Sequence, residues 1–327
     1  MGGIYQRASG WMRSLTGVVV ATCTPFDAAG ELDRDRIGPY VDFLVSGGVA
    51  GLMVGGTTSE FIAMTVEERV DLITLATQAA AGRLPVIAHV GHVHLRQALR
   101  LAEAAAAAGA PALTAIVPYY QAHSQAAIVD HLTALARAIP ELPFLVYNYP
   151  GAAANRLEPA AFDEILREPN VAGIKLSVAS MAEIVPFLRH LPDLCVMCGN
   201  DALWREFTAK GGRAVVSGNA AAVPELAVAL MAAYTRGDAE EADRLQPLMD
   251  EVLAVGHGGA VGPLRDLLRS RGLDLGEPRV RMVSPREPGG RAVASPALRA
   301  SCAWELEPAA PKDGPGLAPS SAIAGAA

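Results

Sequence analysis

Val171-Ala172-Gly173-Ile174-Lys175-Leu176-Ser177 is a short apolar run of β type that delivers a single lysine near its end. Lysine is costly to bury, so its position behind Val, Ala, Gly and Ile needs a reason. At the C-terminal end of a strand in a parallel barrel, side chains leave the packed interior and line an active-site mouth. Desolvation there lowers an amine from about 10.4 toward neutrality. A free amine in a dry pocket attacks ketones, and the imine it forms is an electron sink for making or breaking a carbon–carbon bond. The plainer alternative is a lysine at a strand edge, snorkelling to water.

The same kind of run recurs on either side. Segments rich in Val, Ile, Leu and Ala begin near Val18, Leu52, Val86, Ala112, Phe144, Val171, Leu194 and Ala214, eight in all. Between them, residues 33–45, 65–81, 95–108, 124–139 and 224–234 carry apolar side chains at helical spacing, and Thr65-Val66-Glu67-Glu68 has the form of a capping box. Strand then helix, repeated, predicts an α/β fold with a parallel sheet. No GxGxxG loop follows the first strand, so a (β/α)8 TIM barrel is expected over a doubly wound sheet. The expected organisation is an N-terminal extension over 1–16, the barrel over 17–236 and a C-terminal helical region over 237–283. Within that region, 239–255 and 263–271 read as additional helices. Beyond it lies a tail over 284–327 whose Pro, Gly, Ala and Ser cannot bury enough surface to fold.

A chain of 327 residues, 51% hydrophobic and 19% charged, can bury a large core. Its net charge of −7 and pI near 5.5 leave no basic excess to neutralise phosphates, which argues against nucleic acid and anionic membranes as partners and leaves small molecules. Cys23, Cys195, Cys198 and Cys302 are too few for a disulfide framework and fit a reducing compartment, so a cytoplasmic location is expected. No apolar run is long enough to cross a bilayer, and the first residues lack the apolar stretch of a targeting peptide.

If the fold is a barrel, residues at strand ends share one mouth. After the second strand comes Gly55-Gly56-Thr57-Thr58-Ser59-Glu60, where glycines permit a tight turn and hydroxyls and N–H groups can converge on a carboxylate. After the fourth comes Pro118-Tyr119-Tyr120, and at the end of the fifth Tyr147-Asn148-Tyr149-Pro150, so phenols able to shuttle protons approach the lysine from two directions. An imine-forming aldol enzyme needs a carboxylate site, a group that helps water leave the carbinolamine and a base for the hydroxyl of the bond being cleaved. Singly, each piece also reads as a turn or as aromatic packing.

With these residues in view, the chain resembles the dihydrodipicolinate synthase and N-acetylneuraminate lyase superfamily of pyruvate-dependent class I aldolases, over residues 17–283. The likeness rests on TPF at 24–26, GGTTSE at 55–60, PYY at 118–120, YNYP at 147–150, GIK at 173–175 and CGND at 198–201. It implies that Lys175 forms the Schiff base with pyruvate and that Tyr147 gives and takes protons. Thr57 and Thr58 would hold the pyruvate carboxylate, with Thr57 also in a proton relay. Tyr120 matches a relay tyrosine lent by a neighbouring subunit, which implies a homodimer or homotetramer. Gly56, Ser177, Gly199, Asn219 and His92 complete the expected substrate contacts. No cofactor and no metal are implied, because the lysine imine is covalent with the substrate.

Departures narrow the resemblance. Dihydrodipicolinate synthases place an arginine soon after the YNxP motif, where this chain has Gly151-Ala152-Ala153-Ala154. Ile87-Ala88-His89-Val90-Gly91 and the paired glycines before Thr57 look like sialic-acid lyases, yet Ala202 stands where those carry an acidic residue, beside Asp201. YNYP and Ser177 look closer to aldolases of 2-keto-3-deoxy sugar acids, and Ser59 replaces a usual glycine without an evident reading. His89, His92 and His94 cluster after the third strand, but no suitably spaced carboxylate accompanies them for a metal. Cys195 and Cys198 have CxxC spacing within a strand, where side chains alternate faces, and read as structural. Glu240-Glu241 and the basic residues from Arg265 to Arg271 read as solvated helix faces.

The reading is a lyase or aldolase that joins or cleaves a 2-oxo acid and an aldehyde through Lys175, distinct from both dihydrodipicolinate synthase and sialic-acid lyase. One alternative is a hydro-lyase, such as a sugar-acid dehydratase or hydratase-aldolase, on the same imine chemistry. Another is a silent paralogue that binds a 2-oxo acid, against which intact Lys175, Tyr147 and Thr57 argue.

Overall fold

In the computed structural model, which describes residues 10–255, 260–281 and 293–302, the eight runs are eight strands. They are β1 Gly17–Ala21, β2 Gly51–Val54, β3 Val86–His89, β4 Ala112–Ile116, β5 Phe144–Asn148, β6 Val171–Leu176, β7 Cys195–Cys198 and β8 Ala214–Ser217. Each starts within one residue of its expected position, and all pair in parallel, in chain order, to close a (β/α)8 barrel. Almost every strand residue is buried because one face meets the barrel interior and the other meets helices.

The interior is filled by side chains such as Val19, Met53, Ile87, Leu145, Met197 and Val216. Its N-terminal end is closed by Met12, on the short helix Gly10–Ser14, with Trp11 and Leu15 packed beside it. That part of the expected N-terminal extension is therefore a plug; residues 1–9 lie outside the described residues. The outer layer packs helices such as Val66–Ala80, which opens on the predicted capping box: Glu68 N–H donates to Thr65 Oγ1 (3.1 Å) and Thr65 N–H to Glu68 Oε2 (2.8 Å).

Gly173 explains itself in this setting. A Cβ there would collide with the Cys195 carbonyl, so only glycine lets β6 and β7 approach so closely. The β5–β6 register shifts between Phe144 and Leu145, after which Tyr147 stands opposite Lys175.

The C-terminal helices Ala239–Val255 and Val261–Ser270 match expectation, but the second is not solvated on all its basic residues. Arg265 and Arg271 are buried. They share the helix face that carries Leu264, Leu267 and Leu268, and each guanidinium reaches oxygen acceptors below that face. Arg265 Nη2 donates to Glu60 Oε1 (2.7 Å) and Thr24 O (2.6 Å); Arg271 Nη2 donates to Glu225 Oε1 (2.6 Å). The Glu60–Arg265 pair is 1% exposed on both sides and fastens this helix to the TPF and GGTTSE loops at the barrel mouth. Within the stretch expected to be a structureless tail, residues 293–302 include the helix Pro296–Ser301, capped by Ser295, whose N–H and hydroxyl both bind Glu251. Leu298 of that helix is buried, while the remainder of that expectation, residues 284–292 and 303–327, lies outside the described residues. Among the described residues, no helix is long and apolar enough to cross a membrane.

Replacing Arg265 with Met leaves the Glu60 carboxylate buried without its partner. The expected loss is about 3–5 kcal/mol of folding stability, read from the denaturant midpoint, with most of it restored in the Glu60→Gln/Arg265→Met double variant.

Candidate active site

Lys175 is 5% exposed and lies at the C-terminal end of the barrel interior. Its Nζ sits 4.0 Å from the centroid of the Tyr147 ring and donates to the Met53 thioether at 3.7 Å, a weak acceptor. Burial lowers its pKa to about 7, opposed by the negative charge of Asp201. Asp201 is itself buried and accepts hydrogen bonds from Ser217 Oγ (2.6 Å) and Asn219 Nδ2 (2.8 Å). Asn219, expected to touch substrate, is thus engaged by Asp201. Asp201 is absent from the expected site residues, although an acid after the apolar strand β7 is the same kind of signal as the lysine in β6.

Beside the amine, Gly199 has the place its glycine requires. A Cβ at that position would run into Ser177 Oγ and lie 3.1 Å from Lys175 Cε. The Tyr147 hydroxyl is 3.4 Å from Thr57 Oγ1. Burial raises the Tyr147 phenol, while hydrogen bonds from Thr57 and Ser177 oppose that rise.

The loop bearing Thr57 and Thr58 is held from several sides. Gly55 has φ +77°, which lets the chain turn, and the turn is closed by Ser59 N–H to Gly56 O (3.1 Å) and Glu60 N–H to Thr57 O (2.9 Å). Ser59 now has its reading: its hydroxyl donates to Thr22 O (2.6 Å) and accepts from Gly55 N–H (3.0 Å), tying the loop to the end of β1. His89 Nδ1 lies 2.8 Å from Gly55 O, and its Nε2 accepts from Ile116 N–H (3.2 Å), which assigns the proton to Nδ1. Burial and the charge of Arg69 keep His89 well below the usual imidazole range. His89 is a neutral strut. Thr58 packs against Gly218, where a Cβ would approach its Oγ1 to 2.8 Å.

The structure therefore brings together Lys175, Tyr147, Thr57, Ser177 and Gly199, with Gly56 and Thr58 flanking Thr57 in its loop. Tyr120 is 85% exposed with φ +79°, turned away from its own chain's cluster, while Tyr119 faces inward with its ring 5.5 Å from Phe61. His92 Nδ1 accepts from His94 N–H (2.9 Å) within its own loop. Among the described residues no three His, Cys, Asp or Glu side chains converge as metal ligands. Cys195 faces the barrel interior and Cys198 the outer layer, as strand alternation requires. Next to Thr57 the mouth opens into a cavity of about 130 Å³.

Residues 14–293 match the model of the dihydrodipicolinate synthetase family. The chain belongs to that family. With the family comes the enzyme class, a carbon–carbon lyase of the pyruvate-dependent aldolase type. Relatives carry two names: the chain is 32% identical over 275 residues to a 4-hydroxy-tetrahydrodipicolinate synthase of Exiguobacterium, covering 82% of this chain and 92% of that one. It is 35% identical over 241 residues to an N-acetylneuraminate lyase of Rhizobium meliloti, covering 74% of this chain and 80% of that one. Among solved structures, the sialic acid aldolase of Ruminococcus gnavus superposes with TM-score 0.77 at 28% identity, covering 81% of this chain and 90% of that one. The dihydrodipicolinate synthase of Aquifex aeolicus gives 0.76 at 27% identity, covering 81% and 91%.

An amine that titrates near 7 reacts as the neutral base above that pH. Labelling of Lys175 by a small amine-directed reagent, followed by peptide mass spectrometry, is expected to rise through about pH 7. Asp201→Asn removes the charge that favours the ammonium form, so the midpoint is expected to move to lower pH; a midpoint near 10 in the native protein contradicts this picture.

Proposed function

We propose that the protein cleaves a 4-hydroxy-2-oxo acid to pyruvate and an aldehyde, or runs the reverse condensation, through an imine on Lys175. The observation that carries this reading is a buried amine lowered to about 7 and set against the ring of Tyr147, whose hydroxyl meets Thr57. Neutral Lys175 attacks the C2 carbonyl, and water leaves the carbinolamine to give the iminium. Having given its phenol proton to the departing carbinolamine hydroxyl, Tyr147, now a phenolate, takes the C4 hydroxyl proton as the C3–C4 bond breaks; the electron pair flows to the iminium nitrogen and the aldehyde departs. Protonation of the enamine at C3 and addition of water at C2 release pyruvate and the free lysine. Thr57, Thr58 and the N–H groups of their loop suit the substrate carboxylate, and no cofactor is needed for these steps.

Two departures support an activity other than the two borne in the relatives' names. Ala152 offers no cation for a second carboxylate, and Ala202 no acid for sugar hydroxyls. The outward, left-handed Tyr120 supports a homodimer or homotetramer in which it serves a neighbouring subunit's mouth. A cytoplasmic location accords with the buried free cysteines.

Intact-mass spectrometry after incubation with pyruvate and borohydride tests the imine. A mass gain is expected in the native protein and not in Lys175→Ala; no gain in the native protein removes the chemistry and leaves the silent-paralogue reading. Tyr147→Phe is expected to keep the trapped imine but lower turnover by about 10²–10⁴-fold, and pyruvate release separates the lyase from a hydro-lyase.

A further inference from the structure

A cavity lies beside Thr57, with Ala152, the second residue after the YNYP motif, on its wall, and among the described residues that wall is mostly apolar. Phe61, Ile62, Ile116, Ala152, Val261 and Val280 face it, drawn from the loop after β2, the end of β4, the loop after β5 and the C-terminal segment. Among the described residues, the one carboxylate at this wall is already engaged. Glu60 presents one carboxylate oxygen to Arg265 (2.7 Å) and the other to Val280 N–H (2.7 Å). The Tyr119 oxygen faces the Val93 backbone N–H as an acceptor, and Thr57 Oγ1 lies 3.4 Å from the Tyr147 hydroxyl. Behind Phe61, the guanidinium of Arg69 is held by Gly91 O (3.0 Å) and His89 O (2.9 Å).

Among the described residues of this wall a second carboxylate finds no free cation, and a polyol would set most of its hydroxyls against apolar side chains. An apolar group fits both the chemistry and the size, since a cavity of about 150 Å³ lined by aliphatic and aromatic side chains binds benzene in a lysozyme variant. The cavity here is about 130 Å³.

We propose that the aldehyde handled at this site carries an aryl or branched aliphatic group, so that the cleaved acid is a 4-hydroxy-2-oxo acid bearing that group on C4. This rests on the Lys175 imine reading, and its test keeps the two apart. The full-length protein is given pyruvate with benzaldehyde, isobutyraldehyde, glyceraldehyde, N-acetylmannosamine or succinic semialdehyde, and kcat/KM for each aldehyde is measured beside borohydride trapping of the pyruvate imine. The expected result is a trapped imine with benzaldehyde or isobutyraldehyde preferred over the hydroxylated and carboxylated aldehydes by about tenfold or more. In Ala152→Leu and Ala152→Arg, which shrink the cavity, kcat/KM for the preferred aldehyde falls by a similar factor while imine trapping stays as in the native protein. A trapped imine with glyceraldehyde, N-acetylmannosamine or succinic semialdehyde preferred, or with no apolar aldehyde turned over, overturns the inference and leaves the imine standing. If no imine is trapped, the reading beneath it fails, and the inference with it.

Discussion

A primary amine held out of water at the end of β6 is the constraint on which the mouth of this barrel depends. Burying an ammonium ion costs several kcal/mol, and a protein meets that cost by neutralising the group or by pairing it. Here Lys175 takes the first course: its neighbours are a thioether, a phenol ring and a glycine, and none of them neutralises a full positive charge. The single opposing influence is Asp201, and that carboxylate already accepts hydrogen bonds from Ser217 and Asn219. The balance leaves the amine poised near neutrality, with enough free base to add to a carbonyl.

The same economy governs the loops around it. Three buried charges hold backbone in place: Arg69 binds the carbonyls of His89 and Gly91, Arg265 binds Thr24 O and Glu60, and Glu60 binds Arg265 and the Val280 N–H. Thr57 inherits its position from these contacts. Its loop is fixed at Gly55 by His89, at Ser59 by Thr22 and at Glu60 by the C-terminal helix. A hydroxyl 3.4 Å from Tyr147 is useful in a proton relay only if its backbone stays put.

What was legible in the sequence follows from how local its cause is. Strand position depends on runs of apolar residues buried on both faces, so the eight strands could be read almost to the residue. Lys175 and Tyr147 could be read as a pair because both end such runs. Long-range polar pairing has no such local mark. A basic helix in isolation looks solvated, and nothing near Arg265 in sequence announces that Glu60, 205 positions away, awaits it. His92 has chemical character too, and one of its ring nitrogens, Nδ1, is taken up by the His94 N–H of its own loop. Tyr120 shows the limit differently, since an outward side chain acquires meaning only in another copy of the chain. Ser59 and Asp201 had chemical character without a visible partner, and the partners, Thr22 and Ser217, sit on other strands' ends.

Chemistry and selectivity are carried by different parts of the fold. Lys175 and Tyr147 lie on strands whose register is set by the closed barrel, so their mutual geometry is insulated from change at the rim. Ala152, Phe61, Val261 and Val280 lie on segments outside the barrel strands, joined to the barrel through side-chain contacts such as Glu60–Arg265. Substituting one of them alters the wall without moving the amine or the phenol. That separation accounts for a scaffold on which relatives named for two different substrates superpose equally well, with TM-scores of 0.77 and 0.76. On the imine reading proposed above, it also puts selectivity at the rim: Lys175 meets the carbonyl, and the group beyond C4 meets the surface composed by the loops and the C-terminal segment.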